Sequence, residues 1–294
     1  MSATPSTLIT ATEMPTLGGL VREATATLAA ADIEQPRAEA RWLLCRVFGI
    51  SESALLLHAD DGADPDGAER YRQAVSRRAA HEPFAYIVGE REFYGRPFLV
   101  DHRVLVPRPE SEILIEEALR VLADCETRRP LVVDVGTGSG VLACTLALEA
   151  PQAQVLACDV SADALAVAAA NRERLNLAGR LQLVRGSLLT WLGRPADLIV
   201  ANLPYLPDGR LPDLMPEVRD WEPGLALFAG PAGLDLISAL LAHAQRTVRP
   251  GGTILLELDP EQADSARALL PAAQARVIQD LAGLDRVLRL DLPA

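Results

Sequence analysis

Residues 200–209, VANLPYLPDG, place a side-chain amide, two prolines and a tyrosine directly after an apolar run typical of a buried strand. An Asn side-chain oxygen and the next carbonyl can together accept both hydrogen bonds of one NH2 group, while an aromatic ring covers its flat face. The candidates for holding a planar amide or an aromatic amine are Asn202, Leu203, Pro204 and Tyr205. The competing interpretation is a plain strand-ending turn, because Asn and Pro commonly end strands.

A second stretch, LVVDVGTGSGVLACTLAL at 131–148, supplies a strand, three glycines and a helix. Glycines at such a turn let the backbone approach a ligand, and the helix N-terminus offers unpaired N–H groups. The candidate cofactor contacts in this loop are Gly136, Thr137, Gly138, Ser139 and Gly140. Val141 stands where the dinucleotide fingerprint needs its third glycine, which disfavours a nicotinamide enzyme.

Two acids accompany the glycine loop. Asp159 ends the next apolar strand, QVLACD, about 20 residues after the glycines, where an acid can accept hydrogen bonds from both ribose hydroxyls. It could instead cap the following helix, which begins SADAL. Because the strand, the glycines and the acid occur together in the arrangement of a nucleotide-binding site, we expect Asp159 to bind a ligand. Asp134 lies inside the first strand, and we expect it to tie the glycine loop through backbone hydrogen bonds.

These residues must be positioned by strands and helices that alternate from Pro130 onward. Strands are predicted at LVVDV, QVLACD, LQLVR, ADLIVAN and GTILLEL, with helices near 140–149, 161–175 and 232–248. Continuous apolar strands between amphipathic helices indicate an α/β fold with a parallel sheet covered on both faces. ARVIQD and DRVLRLDL, separated only by LAGL, predict a hairpin that finishes the sheet with an antiparallel edge strand.

Three domains are predicted: a helical domain at 1–85, a β-hairpin linker at 86–106 and the sheet domain at 107–294. Apolar residues recur at helical spacing from Leu17 to about Arg78. The linker contains the β-like pieces AYIVG, REFYG and PFLVDHRVLV, with Gly89 and Gly95 as turn residues. VPRPESE follows at 106–112, and its Pro-x-Pro spacing predicts an extended Arg108 before a helix.

Composition narrows the class of protein. The net charge of −12 repels phosphate backbones, so a protein or small-molecule substrate is favoured over nucleic acid. All 28 basic residues are arginine, which excludes lysine-based chemistry. The four cysteines fit no metal or disulfide spacing, so no metal is expected. Apolar runs are too short for a membrane span and the first 16 residues are polar without a basic residue, so we expect a cytoplasmic protein with a frayed start.

The G-x-G-x-G loop, Asp159 and the Asn-Leu-Pro-Tyr motif resemble S-adenosylmethionine-dependent methyltransferases that act on nitrogen. Nearly the whole chain is similar to the bacterial peptide chain release factor protein-(glutamine-N5) methyltransferases (PrmC/HemK type), including GEREFYGRPFLVDHRVLVPRPESEIL and PEVRDWEPGLALFAGPAGLDLI. VPRPESE matches the family's Pro-Arg-Pro-x-Thr-Glu loop, with Ser111 in place of Thr. The related ribosomal-protein glutamine methyltransferases have Pro-Arg-Ser there.

The resemblance implies a seven-stranded, mostly parallel Rossmann-like sheet and S-adenosyl-L-methionine as cofactor. It implies that the substrate is the glutamine of the Gly-Gly-Gln motif of class 1 peptide chain release factors. Asn202 and the Leu203 carbonyl would hold both amide protons and align the nitrogen with the sulfonium methyl, with no general base required beforehand. The N-terminal helices would help to dock the release factor, and a monomer without direct nucleic-acid binding is expected.

The resemblance also implies that Phe93, Tyr94 and the loop from Pro107 to Glu112 wall the cleft for cofactor and substrate. Ordinary packing of the hairpin is the alternative for the two aromatic residues. Arg108 would contact the substrate or pair with an acid of its own chain.

Two residues depart from the family pattern. Leu203 stands at the family's first proline, so the carbonyl is kept but the backbone loses a fixed φ and gains an N–H. Ser187 follows the third strand, where many methyltransferases have an acid near the adenine amino group, and its hydroxyl can still accept a hydrogen bond. Because Asn-Leu-Pro-Tyr also resembles the motif of rRNA adenine dimethyltransferases, an N6-adenine methyltransferase acting on rRNA or DNA stays an alternative. A non-catalytic S-adenosylmethionine-binding module is the third hypothesis.

Overall fold

The computed structural model describes residues 14–294, and the chain divides into two compact units between Val88 and Gly89. The first unit consists of α1 (Leu17–Ala30), α2 (Pro36–Phe48), α3 (Glu52–Leu57), α4 (Pro65–Ala79) and α5 (Phe84–Val88). Side chains of Thr16, Ser51 and Asp64 accept N–H groups in the first turns of α1, α3 and α4, which explains where these helices begin. Their apolar faces pack into one core around the fully buried Tyr71.

Helix α5 corrects one prediction, because it covers most of AYIVG, which the sequence pattern indicated as β-like. The carbonyl of Pro83 accepts the N–H groups of Tyr86 and Ile87, so a helical turn starts directly at this proline. A short apolar run does not distinguish a strand from a buried helical turn, which explains the error. The other two pieces do pair as antiparallel β1 (Glu90–Phe93) and β2 (Arg96–Leu99). This hairpin falls in the second unit, and the domain limits at 85 and 106 stay predictions.

The second unit continues as an alternation of helices and strands. Its elements are α6 (Glu112–Ala123), β3 (Leu131–Val135), α7 (Val141–Glu149), β4 (Gln154–Asp159), α8 (Ala162–Arg174), β5 (Leu181–Arg185), β6 (Ala196–Ala201), α9 (Pro216–Trp221), α10 (Asp235–Thr247), β7 (Val248–Glu257), α11 (Ala263–Ala268), β8 (Gln274–Gln279) and β9 (Asp285–Asp291). Strands β3 and β6 are buried along their whole length, as the continuous apolar runs predicted. Separate apolar clusters cover the two faces of the sheet.

Within residues 14–294 the strands of this unit form a seven-stranded sheet in the order β5-β4-β3-β6-β7-β9-β8. The strands β5, β4, β3, β6 and β7 are parallel to one another, and β9 is antiparallel to both of its neighbours. This arrangement confirms the predicted α/β fold with a mostly parallel sheet. The hairpin differs from the prediction in one detail, because the reversed strand β9 lies inside the sheet and β8 forms the edge. Val287, Leu288 and Leu290 of β9 are fully buried, whereas β8 is half exposed, so the more apolar strand takes the inner position.

The order of the strands reverses at β3, which has β4 on one side and β6 on the other. In open parallel sheets, ligands bind at the carboxyl edge next to such a reversal. The glycine loop, Asp159 and Asn202 follow β3, β4 and β6, so the topology brings all three predicted motifs to this edge.

No helix in the described part of the chain has the length and apolar character needed to cross a membrane. The expectation of a frayed start concerns mainly residues 1–13, which lie outside the described residues.

Candidate active site

A cleft at the carboxyl ends of β3, β4 and β6 encloses about 1160 Å³, including the part that is open to solvent. The predicted site residues that line it are Arg108, Gly136, Thr137, Gly138, Ser139, Asp159, Ser187, Asn202, Leu203 and Pro204. Gly140, Tyr205 and Phe93 were also predicted for the site, but they are not among the residues that line this cleft.

The glycine loop needs its glycines for different reasons. Gly136, Gly138 and Gly140 have φ of 75°, 54° and 82°, a left-handed conformation that side chains disfavour. A Cβ on Gly136 would lie 2.9 Å from Leu203 Cδ2, and a Cβ on Gly140 would lie 3.1 Å from the Cβ of Ala168. Gly140 therefore serves the packing of α7 on α8, while Gly136 makes room for the Asn-Leu-Pro-Tyr turn.

Asp159 accepts two backbone N–H groups beside the cleft, whereas the cap of helix α8 is Ser161 and not Asp159. Its Oδ2 accepts the N–H of Gly138 at 3.0 Å, and its Oδ1 accepts the N–H of Ser161 at 2.9 Å. The Ser161 hydroxyl, in turn, caps α8 through Ala164 N. Each carboxylate oxygen has a second lone pair, so both can still accept a hydroxyl from a ligand.

Asp134 lies fully buried beneath the glycine loop. The Thr137 hydroxyl donates to its Oδ2 at 2.6 Å, so the acid ties the loop through a side chain. Burial raises the pKa of Asp134 to about 7, because the charged form is taken out of water.

The Asn202 side chain is the start of a hydrogen-bonded chain. Asn202 Nδ2 donates to Ser111 Oγ at 3.0 Å, and Ser111 Oγ donates to Glu257 Oε2 at 2.5 Å. The Tyr205 hydroxyl donates to the other oxygen of Glu257 at 3.4 Å. Glu257 is only 3% exposed, and burial raises the pKa of its carboxyl.

Tyr205 and Phe93 make contacts away from the residues that line the cleft. The Tyr205 ring does not line the cleft, because its hydroxyl is turned toward Glu257. Phe93 is 1% exposed and packs edge-to-face on Phe98 with ring centroids 6.3 Å apart, so the structure gives it the packing role. The backbone N–H of the neighbouring Tyr94 donates to Glu112 at 2.8 Å.

Arg108 has the predicted extended backbone, with φ −96° and ψ 141°. Its guanidinium pairs with Glu222, in agreement with the alternative that it binds an acid of its own chain. Pro223, Leu225 and Ala226, which follow Glu222, line the cleft beside it.

Sequence reasoning missed four polar residues that support the site: Glu222, Glu257, Gln262 and Asn171. Gln262 Nε2 donates to the carbonyls of Tyr205 at 2.8 Å and Ala232 at 3.1 Å. Asn171 is 1% exposed and donates to the carbonyl of Ser139 at 2.8 Å. For Glu257 a signal was available, since a lone acid at the carboxyl end of the apolar run TILLEL is expensive to bury without a partner.

The chain matches family models and curated proteins along most of its length. The family model for the PrmC N-terminal domain matches residues 19–89, and the model for the Methyltransferase small domain matches residues 111–212. The Release factor glutamine methyltransferase of Deinococcus radiodurans is 44% identical over 276 residues, covering 93% of this chain and 97% of that protein. The protein of the same name from Nitratidesulfovibrio vulgaris is 42% identical over 282 residues, covering 94% of this chain and 95% of that protein.

Among solved structures, a Methyltransferase from Pyrococcus furiosus superposes with a TM-score of 0.51 and 18% identity, covering 76% of this chain and 98% of that chain. This likeness concerns the fold alone. The two curated relatives, by contrast, extend across both compact units at more than 40% identity. The chain therefore belongs to the family of release factor glutamine methyltransferases.

Proposed function

We propose that this protein transfers a methyl group from S-adenosyl-L-methionine to the side-chain amide nitrogen (N5) of a glutamine in class 1 peptide chain release factors. The glutamine is that of the Gly-Gly-Gln motif. The observation that carries the proposal is the orientation of Asn202 at the cleft. Its Nδ2 is committed to Ser111, so Oδ1 is the atom left to accept a proton of a substrate amide. The names of the curated relatives support the choice of substrate.

The residues at the carboxyl edge fit S-adenosyl-L-methionine. Gly136 and Gly138 permit close approach of a ligand, and the Asp159 oxygens have lone pairs for two ribose hydroxyls. Val160 and Leu188, next in sequence to Asp159 and Ser187, also line the cleft, and their apolar side chains suit the flat face of an adenine ring. When bound, this cofactor supplies an electrophilic methyl group on a sulfonium.

Placement is the main task of the protein in this reaction. A glutamine amide nitrogen is a poor nucleophile because its lone pair is delocalised into the carbonyl. Asn202 Oδ1 and the Leu203 carbonyl would accept the two amide protons and so fix the direction of the nitrogen. Fixed acceptors and a single orientation would lower the barrier without a base. As the bond between nitrogen and methyl forms, the methyl–sulfur bond would break and leave S-adenosylhomocysteine, and the methylated nitrogen, now acidic, would release one proton to water.

The N-terminal helical domain, residues 1–85, would help to dock the release factor. The linker at 86–106, which contains the hairpin of β1 and β2, would connect it to the methyltransferase domain at 107–294. The enzyme would act as a cytoplasmic monomer. The match of a dedicated N-terminal family model to residues 19–89 supports a distinct role for this part of the chain.

Transfer of labelled methyl groups tests the proposal. The purified protein is incubated with methyl-labelled S-adenosyl-L-methionine and a release factor, and in parallel with a variant in which the glutamine of Gly-Gly-Gln is replaced by Ala. Label that requires the glutamine is expected, and label that persists in the variant contradicts it. Label in rRNA or DNA would favour the adenine methyltransferase alternative, and tight cofactor binding without transfer would favour a binding module.

A further inference from the structure

We infer that Ser111 and Glu257 are positioning residues that fix the orientation of the Asn202 side-chain amide, with Nδ2 toward Ser111 and Oδ1 free to accept a proton of the substrate. The inference rests on the proposed function, since it concerns the atom that receives the substrate amide. Neither residue has to contact the reacting atoms for this role.

The direction of the hydrogen bonds determines the orientation of Asn202. An Asn side chain can present either its oxygen or its NH2 group toward a neighbour, and the two ends have the same shape. Glu257 Oε2 lies 2.5 Å from Ser111 Oγ and accepts the hydroxyl proton. Ser111 then has only lone pairs to offer toward Asn202, 3.0 Å away, so the NH2 group must face it. Oδ1 is thereby turned to the other side, as an acceptor.

The same carboxylate also anchors the other end of the Asn-Leu-Pro-Tyr turn. Tyr205 donates to Glu257 Oε1 at 3.4 Å, so Asn202 and Tyr205 are both linked to one buried group, the first through Ser111. The backbone of Tyr205 is held independently. Its carbonyl accepts Gln262 Nε2, and a Cβ on Gly233 would lie only 2.0 Å from that carbonyl oxygen. Loss of Glu257 should therefore change the polarity of the hydrogen bonds more than the path of the turn.

The burial of Ser111 and Glu257 makes the arrangement selective. Ser111 and Glu257 are each 3% exposed, so water does not readily replace a missing partner. A buried hydroxyl that loses its acceptor turns to the next one available. Without Glu257, Ser111 is expected to donate to Asn202 Oδ1, and the amide then presents its NH2 group where an acceptor is needed.

Paired substitutions at the two positions separate positioning from packing. Glu257→Met removes both acceptors at similar volume, whereas Glu257→Gln keeps one oxygen that can face Ser111. Ser111→Ala removes the link, whereas Ser111→Thr keeps the hydroxyl. We expect kcat on a release factor to fall about 100-fold in the Met and Ala variants and to stay within about tenfold in the Gln and Thr variants. The dissociation constant for S-adenosyl-L-methionine should change by less than about threefold in all four, because none of the changes touches the glycine loop or Asp159. A purely structural role predicts instead that activity follows the melting temperature.

A second measurement does not depend on activity. The side-chain NH2 signals of Asn202 are identified in nuclear magnetic resonance spectra by their loss in Asn202→Ala, and their exchange with solvent is measured in each variant. Slow exchange is expected in the unchanged protein and in the Gln and Thr variants, and fast exchange in the Met and Ala variants. Unchanged exchange in the Met and Ala variants, or full activity despite fast exchange, would overturn the inference. An unchanged protein that methylates no release factor would refute the proposed function, while the exchange data would still decide how Asn202 is held.

Discussion

Arg108 Nη2 donates to both carboxylate oxygens of Glu222, at 2.7 and 2.8 Å, although the two residues are 114 positions apart. The Glu222 side chain is 1% exposed, while that of Arg108 is 34% exposed. Burial raises the pKa of Glu222, and the charge of Arg108 opposes this rise. The arginine of the Pro-Arg-Pro loop thus compensates a buried charge at the rim of the cleft.

Arg108→Ala should destabilise the protein by about 2 kcal/mol at pH 8, because it leaves the buried Glu222 carboxylate without a counter-charge. Without Arg108 the pKa of Glu222 in the folded protein rises further. The cost of the unpaired carboxylate is therefore present only at pH values above this pKa, where Glu222 is ionised. The deficit relative to the unchanged protein should therefore shrink as the pH falls and Glu222 takes up a proton. Urea unfolding at pH 5 and pH 8 measures it. The double variant Arg108→Ala, Glu222→Gln should lose this pH dependence, and an equal deficit at both pH values would contradict the assignment.

The sequence was sufficient for features encoded locally. Continuous apolar runs predicted the inner strands β3 and β6. The glycine loop, Asp159 and Asn202 each follow a strand of the predicted parallel sheet, so their common edge could be inferred. These predictions depend only on periodicity and on the rule that parallel strands end at one edge.

Contacts between distant residues could not be predicted in this way. Ser111 and Glu257 are 146 positions apart, and nothing in either local pattern specifies that they meet. The place of β9 inside the sheet likewise depends on which strand of the hairpin buries more apolar surface. Phe93 was assigned to the cleft from family resemblance, whereas its burial against Phe98 depends on how the hairpin packs in the core.

Gly136→Ala should destabilise more than Gly138→Ala. Both positions have positive φ, which costs a side chain about 1–2 kcal/mol. A Cβ at 136 also meets Leu203 Cδ2 at 2.9 Å, while a Cβ at 138 has nothing within 4 Å. We expect overpacking to lower the free energy of unfolding of Gly136→Ala by about a further 1–2 kcal/mol, as measured by urea unfolding. Leu203→Ala added to Gly136→Ala should recover part of it, and equal losses at both glycines would refute the contact.

The contribution of Asp134 to the free energy of unfolding should fall between about pH 4 and pH 7. Its pKa is about 7 in the folded protein and 3.8 in the reference state, so the unfolded chain loses this proton first as the pH rises. The resulting slope is up to about 1.4 kcal/mol per pH unit, and it ends once folded Asp134 has also ionised. Asp134→Asn keeps an oxygen for Thr137 but cannot ionise, so its stability should exceed that of the unchanged protein increasingly from pH 5 to pH 8. Parallel pH profiles of the two proteins would show that Asp134 does not titrate in this range.

Asp159→Asn should weaken binding of S-adenosyl-L-methionine about 10- to 100-fold. The substitution replaces one carboxylate oxygen by an NH2 group, which would face the backbone N–H groups and ribose hydroxyls that donate to Asp159. Isothermal titration with S-adenosylhomocysteine measures this without turnover. Asp163→Asn is the matched control, since Asp163 lies on the exposed side of the first turn of α8 and outside the cleft. A similar affinity in both variants would exclude Asp159 from the cofactor site.

Asn202→Ala should abolish methyl transfer while cofactor affinity stays within a few fold, because the side chain orients the substrate and the glycine loop and Asp159 are unchanged. Asn202→Asp is the sharper test, since its shape is the same. One carboxylate oxygen can still accept a substrate proton, but the other replaces the NH2 group that donates to Ser111. Because the Ser111 hydroxyl is committed to Glu257, two acceptors would then face each other. We therefore expect kcat to fall about 100-fold in the Asp variant as well, measured by label transfer to a release factor. If the Asp variant kept full activity, the hydrogen bond to Ser111 could not be what holds Asn202 in its working orientation.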